Sequence, residues 1–240
     1  TGTLNRNKIV KLATDKPIEN TTTIRKVGEA YNTFYLREYA GVDPETGSPL
    51  WYKGKEGKET TSNINEAGQR IVGSADPKFY GGVRMNFKYK NFDLSLDASY
   101  TLGNKVHNSG FAYDMQVGHY FLGPVSNYVY ENRWQKPGDI TNVPKFEAGS
   151  SSNAEAHSTR FLMSGSYLRM KSIVFGYTLP TKLLAQAGIS NLRVYASADN
   201  LFTITSSDYI GFDPQTRPTG FQSWSYPVPT NIMFGINLGF

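Results

Sequence analysis

The sequence predicts an all-β chain, a segment of a transmembrane antiparallel β-barrel, and three observations carry that expectation. Apolar and polar residues alternate with a period of two over several stretches, most of them about the 9 to 11 residues that a tilted strand needs to cross a bilayer. The connections between those stretches run alternately long and short, as in outer-membrane barrels. Aromatic residues gather near the stretch ends, at Phe79, Tyr80, Tyr89, Phe92, Tyr100, Tyr167 and Tyr177, where interfacial girdles would lie.

Taken in order, a first strand is expected over 3–12. In the second, 82–90, Val83, Met85, Phe87 and Tyr89 face one way and Arg84, Asn86, Lys88 and Lys90 the other. In the third, 91–101, Phe92, Leu94, Leu96, Ala98 and Tyr100 share a face opposite Asp93, Ser95, Asp97 and Ser99. Only Lys90 and Asn91 separate the two, which predicts an antiparallel hairpin with a tight turn. The fourth, 167–178, aligns Ile173, Phe175 and Tyr177, but Leu168 and Met170 have the opposite parity. A bulge near Ser172 is therefore expected. The fifth, 191–202, sets Leu192, Val194, Ala196 and Ala198 against Arg193, Tyr195, Ser197 and Asp199. The sixth, 230–240, sets Ile232, Phe234, Ile236, Leu238 and Phe240 against Asn231, Met233, Gly235, Asn237 and Gly239.

Pro180 to Gly188 reads as a short helix, with proline at its start and glycine after its end. The stretches 13–78, 103–165 and 203–229 are long and polar, and loops of such length are expected to serve a function. If the C-terminus lies in the periplasm, the short connections share that side and the three long loops lie outside. Val83, Met85, Phe87, Phe92, Leu94, Leu96, Ile232, Phe234, Ile236, Leu238 and Phe240 then face lipid, while Arg84, Lys88, Asp93 and Asp97 face the lumen.

Composition narrows the function. No stretch has the roughly 18 apolar residues of a spanning helix. The absence of cysteine removes disulfides, thiolate zinc sites and cysteine nucleophiles. The net charge of +5 comes from scattered Lys and Arg without a basic run, which argues against nucleic-acid binding. Residues 1–10 lack signal-peptide character, so the signal is removed or the chain begins mid-protein.

His107, His119 and His157 match no zinc spacing and are expected in water. The phrases Asp43-Pro44-Glu45-Thr46-Gly47 and Asp213-Pro214-Gln215-Thr216 read as turns held by their own carboxylates. Calcium held by Asp43 and Glu45 would lie far from the usual loop pattern. No nucleophile or acid/base signature is present, so neither an enzyme nor a cofactor or metal is expected. The outer aromatics Trp51, Tyr52, Tyr113, Tyr128, Tyr130, Trp134, Trp224 and Tyr226 could stack on substrate or pack against a protein lid. They could equally hold their own loops together. Two rival readings remain: a soluble carbohydrate-binding β-sandwich, and a scaffold or docking subunit of an envelope complex.

A succession of phrases adds to this reading. Ala40-Gly41-Val42-Asp43-Pro44-Glu45-Thr46-Gly47 is followed by Pro77-Lys78-Phe79-Tyr80-Gly81-Gly82 and Tyr89-Lys90-Asn91-Phe92-Asp93-Leu94-Ser95. Ser166-Tyr167-Leu168-Arg169-Met170-Lys171, Phe175-Gly176-Tyr177-Thr178-Leu179-Pro180 and Gly188-Ile189-Ser190-Asn191-Leu192-Arg193-Val194-Tyr195 come next. Asp199-Asn200-Leu201-Phe202-Thr203, Gly211-Phe212-Asp213-Pro214 and Phe234-Gly235-Ile236-Asn237-Leu238 complete the series. In this order, across nearly the whole chain, they resemble the SusC/RagA-like, TonB-linked outer-membrane transporters. The resemblance implies part of a 22-stranded, plugged barrel that imports oligosaccharides or oligopeptides under a SusD-like surface lipoprotein serving as a lid. It implies a TonB complex reached through an N-terminal part that this sequence lacks, along with the plug. Six strands cannot close such a barrel, so the implied partners include outer-membrane lipid and the remainder of the same barrel, and the chain is expected to be a C-terminal piece.

The facing assignment makes a testable statement. Leu96→Arg should cost about 2 to 4 kcal/mol near the bilayer midplane, whereas Asp97→Asn should be close to neutral. Unfolding of the complete protein in lipid measures both, and equal effects would overturn the assignment.

Overall fold

The computed structural model describes the chain apart from residues 15, 120–124, 185–187, 212 and 216–217. Six strands form one sheet: β1 (Gly2–Leu4), β2 (Phe79–Tyr89), β3 (Phe92–Leu102), β4 (Tyr167–Thr178), β5 (Asn191–Thr205) and β6 (Asn231–Gly239). Each pairs antiparallel with its neighbour in the chain, giving an open meander from β1 to β6. The three long connections therefore leave from one edge. The Lys90–Asn91 turn and the β4–β5 connection lie at the other. Within that connection a helix spans Thr181–Leu184 and Gly188 has φ +69, while the middle of the expected helix falls outside the described residues.

The first strand is shorter than its expected span of 3–12. Asn5 ends it, because its backbone N–H donates to Lys78 O and its side-chain amide to Pro77 O. Beyond it, Ile9 exchanges backbone bonds with Gly28 and Glu29 inside the first long loop.

Register lines up the two faces of the sheet. Phe87, Leu94, Phe175, Ala196 and Phe234 stand opposite one another on one rung, and Met85, Leu96, Ile173, Ala198 and Ile232 on another. The reverse face carries Arg84, Asp97, Ser172, Asp199 and Asn231 on one rung and Lys88, Asp93, Gly176, Tyr195 and Gly235 on another. Arg84 pairs with Asp97, but Arg84 is 73% exposed and such a pair contributes little. Arg193 is better held: it reaches across β4 to Asp93 with two bonds of 2.9 and 2.6 Å. It passes over Gly176, where an added Cβ would collide with both partners.

The expected bulge lies at Lys171. Asp97 faces Ser172 and Ala98 faces Met170, so Lys171 is extra against β3. Toward β5, Ser172 faces Asp199 and Met170 faces Phe202, and Asn200 and Leu201 occupy the gap. Asn200 takes φ +53, a conformation asparagine tolerates, and its carbonyl accepts from Thr230 Oγ1 at 2.9 Å. This irregularity returns Leu168 and Met170 to the apolar face.

Burial is distributed unlike that of a soluble sandwich. Every buried hydrophobic side chain among the described residues lies outside the six strands, whereas Phe87, Phe175, Ile232 and Phe234 are 54%, 48%, 64% and 84% exposed. Cores form in the long loops instead. One gathers Met115, Val117, Val129, Val143 and Phe161 from the second loop. Another joins Phe34, Leu36 and Ala75 of the first loop to Leu162 of the second and Phe221 of the third. Small sheets accompany them, including one in which Lys105–Asn108 pairs antiparallel with Leu162–Ser164 and parallel with Phe221–Gln222.

His107 lies in that sheet and corrects the expectation of loop histidines in water: it is fully buried, with its ring 5.1 Å from His157 and 5.4 Å from Phe221. Pairing of the third loop beside Lys105–Asn108 encloses it. Burial, with a smaller push from His157, lowers its pKa to about 4.

Two predictions follow from this packing. Gly176→Val should destabilise the wall by about 1 to 3 kcal/mol through overpacking and loss of the Arg193–Asp93 bridge, read as an earlier thermal transition of the complete protein. As pH falls from about 6.5 toward 4, an unfolded His107 takes up a proton that the folded site refuses, removing stability by about 3 kcal/mol. His107→Gln should flatten the fall in loop protease resistance over that window.

Candidate binding site

The three loops meet because specific polar contacts fasten them. In the first loop, Asp43 closes its turn by accepting from the Glu45 N–H at 2.9 Å and the Thr46 hydroxyl at 2.8 Å, bonds that lower its pKa. Gly47, at φ +71, ends the turn, and a Cβ there would meet the Trp134 ring. Trp134 Nε1 donates to Pro44 O at 2.9 Å and Lys145 N donates to Gly47 O at 2.9 Å, so the turn joins the second loop to the first.

In the second loop, Asn108 caps the helix Ser109–Asp114 by accepting from Phe111 N, and Ser126 caps Asn127–Asn132 by accepting from Tyr128 N. The Asn108 amide also donates to Ile210 O at 2.9 Å, reaching the third loop.

The third loop is tied to the wall. Arg169, on the polar face of β4, is 4% exposed in its side chain and pairs with Asp213. It also donates to Thr203 Oγ1 and Gln215 Oε1, each at 3.1 Å. Asp213 accepts in addition from Gln215 N at 2.8 Å and Val228 N at 3.2 Å. Thus the Asp213-Pro214 turn is closed by its own carboxylate and clamped to the sheet; its Thr216 lies outside the described residues.

These contacts distribute the eight sequence-singled aromatics unevenly. Trp51 is 1% exposed and meets Tyr39 edge-on at 6.3 Å, so it serves the interior of the first loop. Half-buried Trp134 is the staple just described. Tyr52, under the Arg70 guanidinium at 5.3 Å, shares a cleft of about 410 Å³ with Tyr128, Tyr39 and Arg160. Tyr113 stands edge-on to Trp224 at 5.3 Å. Trp224 is 62% exposed and Tyr226 fully so, and Tyr226 borders a second cleft of about 490 Å³ with Asp213, Gln215 and Gln222. Tyr130 is 68% exposed, with the Arg133 guanidinium 4.6 Å from its ring centroid.

Sequence reasoning singled out neither Tyr39 nor Arg160. Burial raises the Tyr39 pKa to about 12, so its hydroxyl stays protonated and donates to Asn142 O at 3.1 Å. Arg160 sits beside it with its ring-facing guanidinium 5.6 Å from the Tyr39 centroid. Nothing in the spacing around Thr159–Phe161 announces such a site, because it forms only when two loops meet. Among the described residues no three His, Cys, Asp or Glu side chains group to hold a metal ion.

No family model matches the chain. TonB-dependent receptor P3 of Formosa agariphila is 29% identical over 268 aligned positions, covering 98% of this chain and 26% of that protein. TonB-dependent receptor SusC of Bacteroides thetaiotaomicron is 28% identical over 262 positions, covering 99% and 24%. Among solved structures, the RagAB peptide transporter matches with a TM-score of 0.81 and 31% identity, over 99% of this chain and 26% of that one. The RagAB peptide importer in its open-open state matches with a TM-score of 0.76 and 31% identity, over 97% and 25%. The chain thus spans about a quarter of the length of the relatives it matches. The open six-stranded meander and its long loops are alike, in sequence and in backbone, to one stretch of the SusC/RagA-like TonB-dependent receptors.

Proposed function

We propose that the chain supplies part of the wall and outer mouth of an outer-membrane, TonB-dependent importer of oligosaccharides or oligopeptides. The observation that carries this reading is the uncovered apolar face of the sheet beside well-packed loops: hydrocarbon on the barrel exterior is what such a face suits. Val83, Met85, Phe87, Phe92, Leu94, Leu96, Ile232, Phe234, Ile236, Leu238 and Phe240 meet lipid in this reading. Arg84, Lys88, Asp93 and Asp97 line the lumen, the C-terminus lies in the periplasm and the loops face outward.

A SusD-like lipoprotein closes over the loops, and the TonB complex acts through the remainder of the receptor. The chain's part is recognition and containment rather than catalysis. Exposed Trp224 and Tyr226, beside Tyr113, present rings and polar edges suited to substrate or lid. Tyr52 and Tyr128 offer a second aromatic patch, and Tyr130 a further exposed ring. Trp51 and Trp134 hold the loops in shape.

In cells carrying the complete receptor at unchanged surface level, Trp224→Ala with Tyr226→Ala should lower uptake of the nutrient polymer fragment. Two lost aromatic contacts, each worth about 0.5 to 1.5 kcal/mol, correspond to roughly a fivefold to hundredfold weaker capture. Uptake of peptides and glycans that stays intact both in this variant and after deletion of the whole receptor would contradict the proposal.

A further inference from the structure

We propose that the cleft beside Tyr39, Tyr52 and Tyr128 is a carboxylate-recognising subsite with the Arg160 guanidinium as its cation. This deepens, and rests on, the reading of the loops as an importer's mouth. Two mostly enclosed arginines of the loop cap and its anchor each have a carboxylate partner. Arg70 meets Glu38 at 2.9 Å and Arg169 meets Asp213. Arg160 departs from this pattern. Its Nη1 donates to Ala154 O at 2.7 Å, while Nε and Nη2 are closed to solvent and have no hydrogen-bond partner. The rings of Tyr39 and Phe161 flank it at 5.6 and 5.1 Å. Neither ring can satisfy an N–H donor in the guanidinium plane.

The nearby acid does not complete the pair. Glu155 turns Oε1 toward His119 Nδ1 at 3.4 Å, and its Oε2 has no hydrogen-bond partner. A desolvated cation with unmet donors is costly unless something supplies the missing acceptors. The guanidinium's planar fork matches a carboxylate with two parallel bonds. Arg160 borders the cleft of about 410 Å³, whose other walls include Gly41, Asn142 and the three tyrosines. A turn of the guanidinium toward the cleft would present that fork to a ligand held between aromatic rings. A peptide supplies the carboxylate at its C-terminus or on an acidic side chain, and a glycan supplies it as a uronic acid. The recognised chemistry is the same.

The test titrates the purified complete receptor with two matched pairs: the tripeptide Ala-Tyr-Ala as free acid and as amide, and trigalacturonate beside trigalactose. In one pair the acid should bind about tenfold tighter, as one charged pair of hydrogen bonds allows, and that pair identifies the source of the carboxylate. Arg160→Gln should erase the preference of the acid over its neutral counterpart. Arg160→Lys keeps the charge and should retain part of the preference, which separates recognition from folding. Glu155→Gln should strengthen acid binding by removing a competing carboxylate. Equal binding of acid and neutral probes, or a preference surviving in Arg160→Gln, would overturn the inference. So would a Glu155→Gln receptor that melts earlier with its preference unchanged, since Glu155 would then be the internal partner. Binding of none of the four probes would count against the mouth reading itself.

Discussion

The structure depends on one unmet demand: a continuous apolar face on a six-stranded sheet that nothing among the described residues covers. From Phe87 through Leu94, Phe175 and Ala196 to Phe234, one rung is apolar from strand to strand across the sheet. Water is a poor neighbour for that area, since each buried methylene is worth about 0.8 kcal/mol. A globular sandwich would fold a second layer over it. Here the chain spends its packable residues elsewhere, and the hydrophobic clusters lie in the loops. The polar face completes the logic, because its ion pair between Arg193 and Asp93 crosses a strand at a glycine rather than turning outward.

That division explains how the loops acquire shape without the wall's help. Long connections are ordered when they build cores of their own, and Phe34, Leu162 and Phe221 draw all three loops into one cluster. The buried Arg169–Asp213 pair then fixes this cap to the sheet, with the remaining lone pairs of Asp213 used by Gln215 and Val228. A buried ion pair is durable when its remaining valences are satisfied. The Arg169–Asp213 pair thereby joins the cap to the wall, and the clefts are lined by the long loops that leave one edge of the sheet.

Much of the wall was legible in the sequence because period-two alternation needs no tertiary information. The Lys171 bulge was legible for the same reason: Met170 and Ile173 are both apolar but differ in parity. Its counterpart on β5 was hidden. Ala198 and Phe202 have equal parity, so the irregularity at Asn200 leaves no trace in the pattern. The early end of β1 was hidden as well, because side-chain bonds from Asn5 to Pro77 are made across the whole first loop. In the loops, the Asp43 turn could be read from its own residues. The burial of His107, the enclosure of Trp51 and the juxtaposition of Arg160 with Tyr39 could not, since each is created by segments that meet only after folding.

The most direct measurement of the central claim is spin-label accessibility in the complete receptor reconstituted in a bilayer, with single nitroxides on the two faces of β2, β3 and β6. The account predicts that labels at Met85, Leu94 and Phe234 collide with dissolved oxygen and are shielded from a water-soluble nickel chelate, while labels at Asn86, Ser95 and Asn237 show the reverse. Equal chelate access on both faces, or oxygen contact on the polar one, would contradict it.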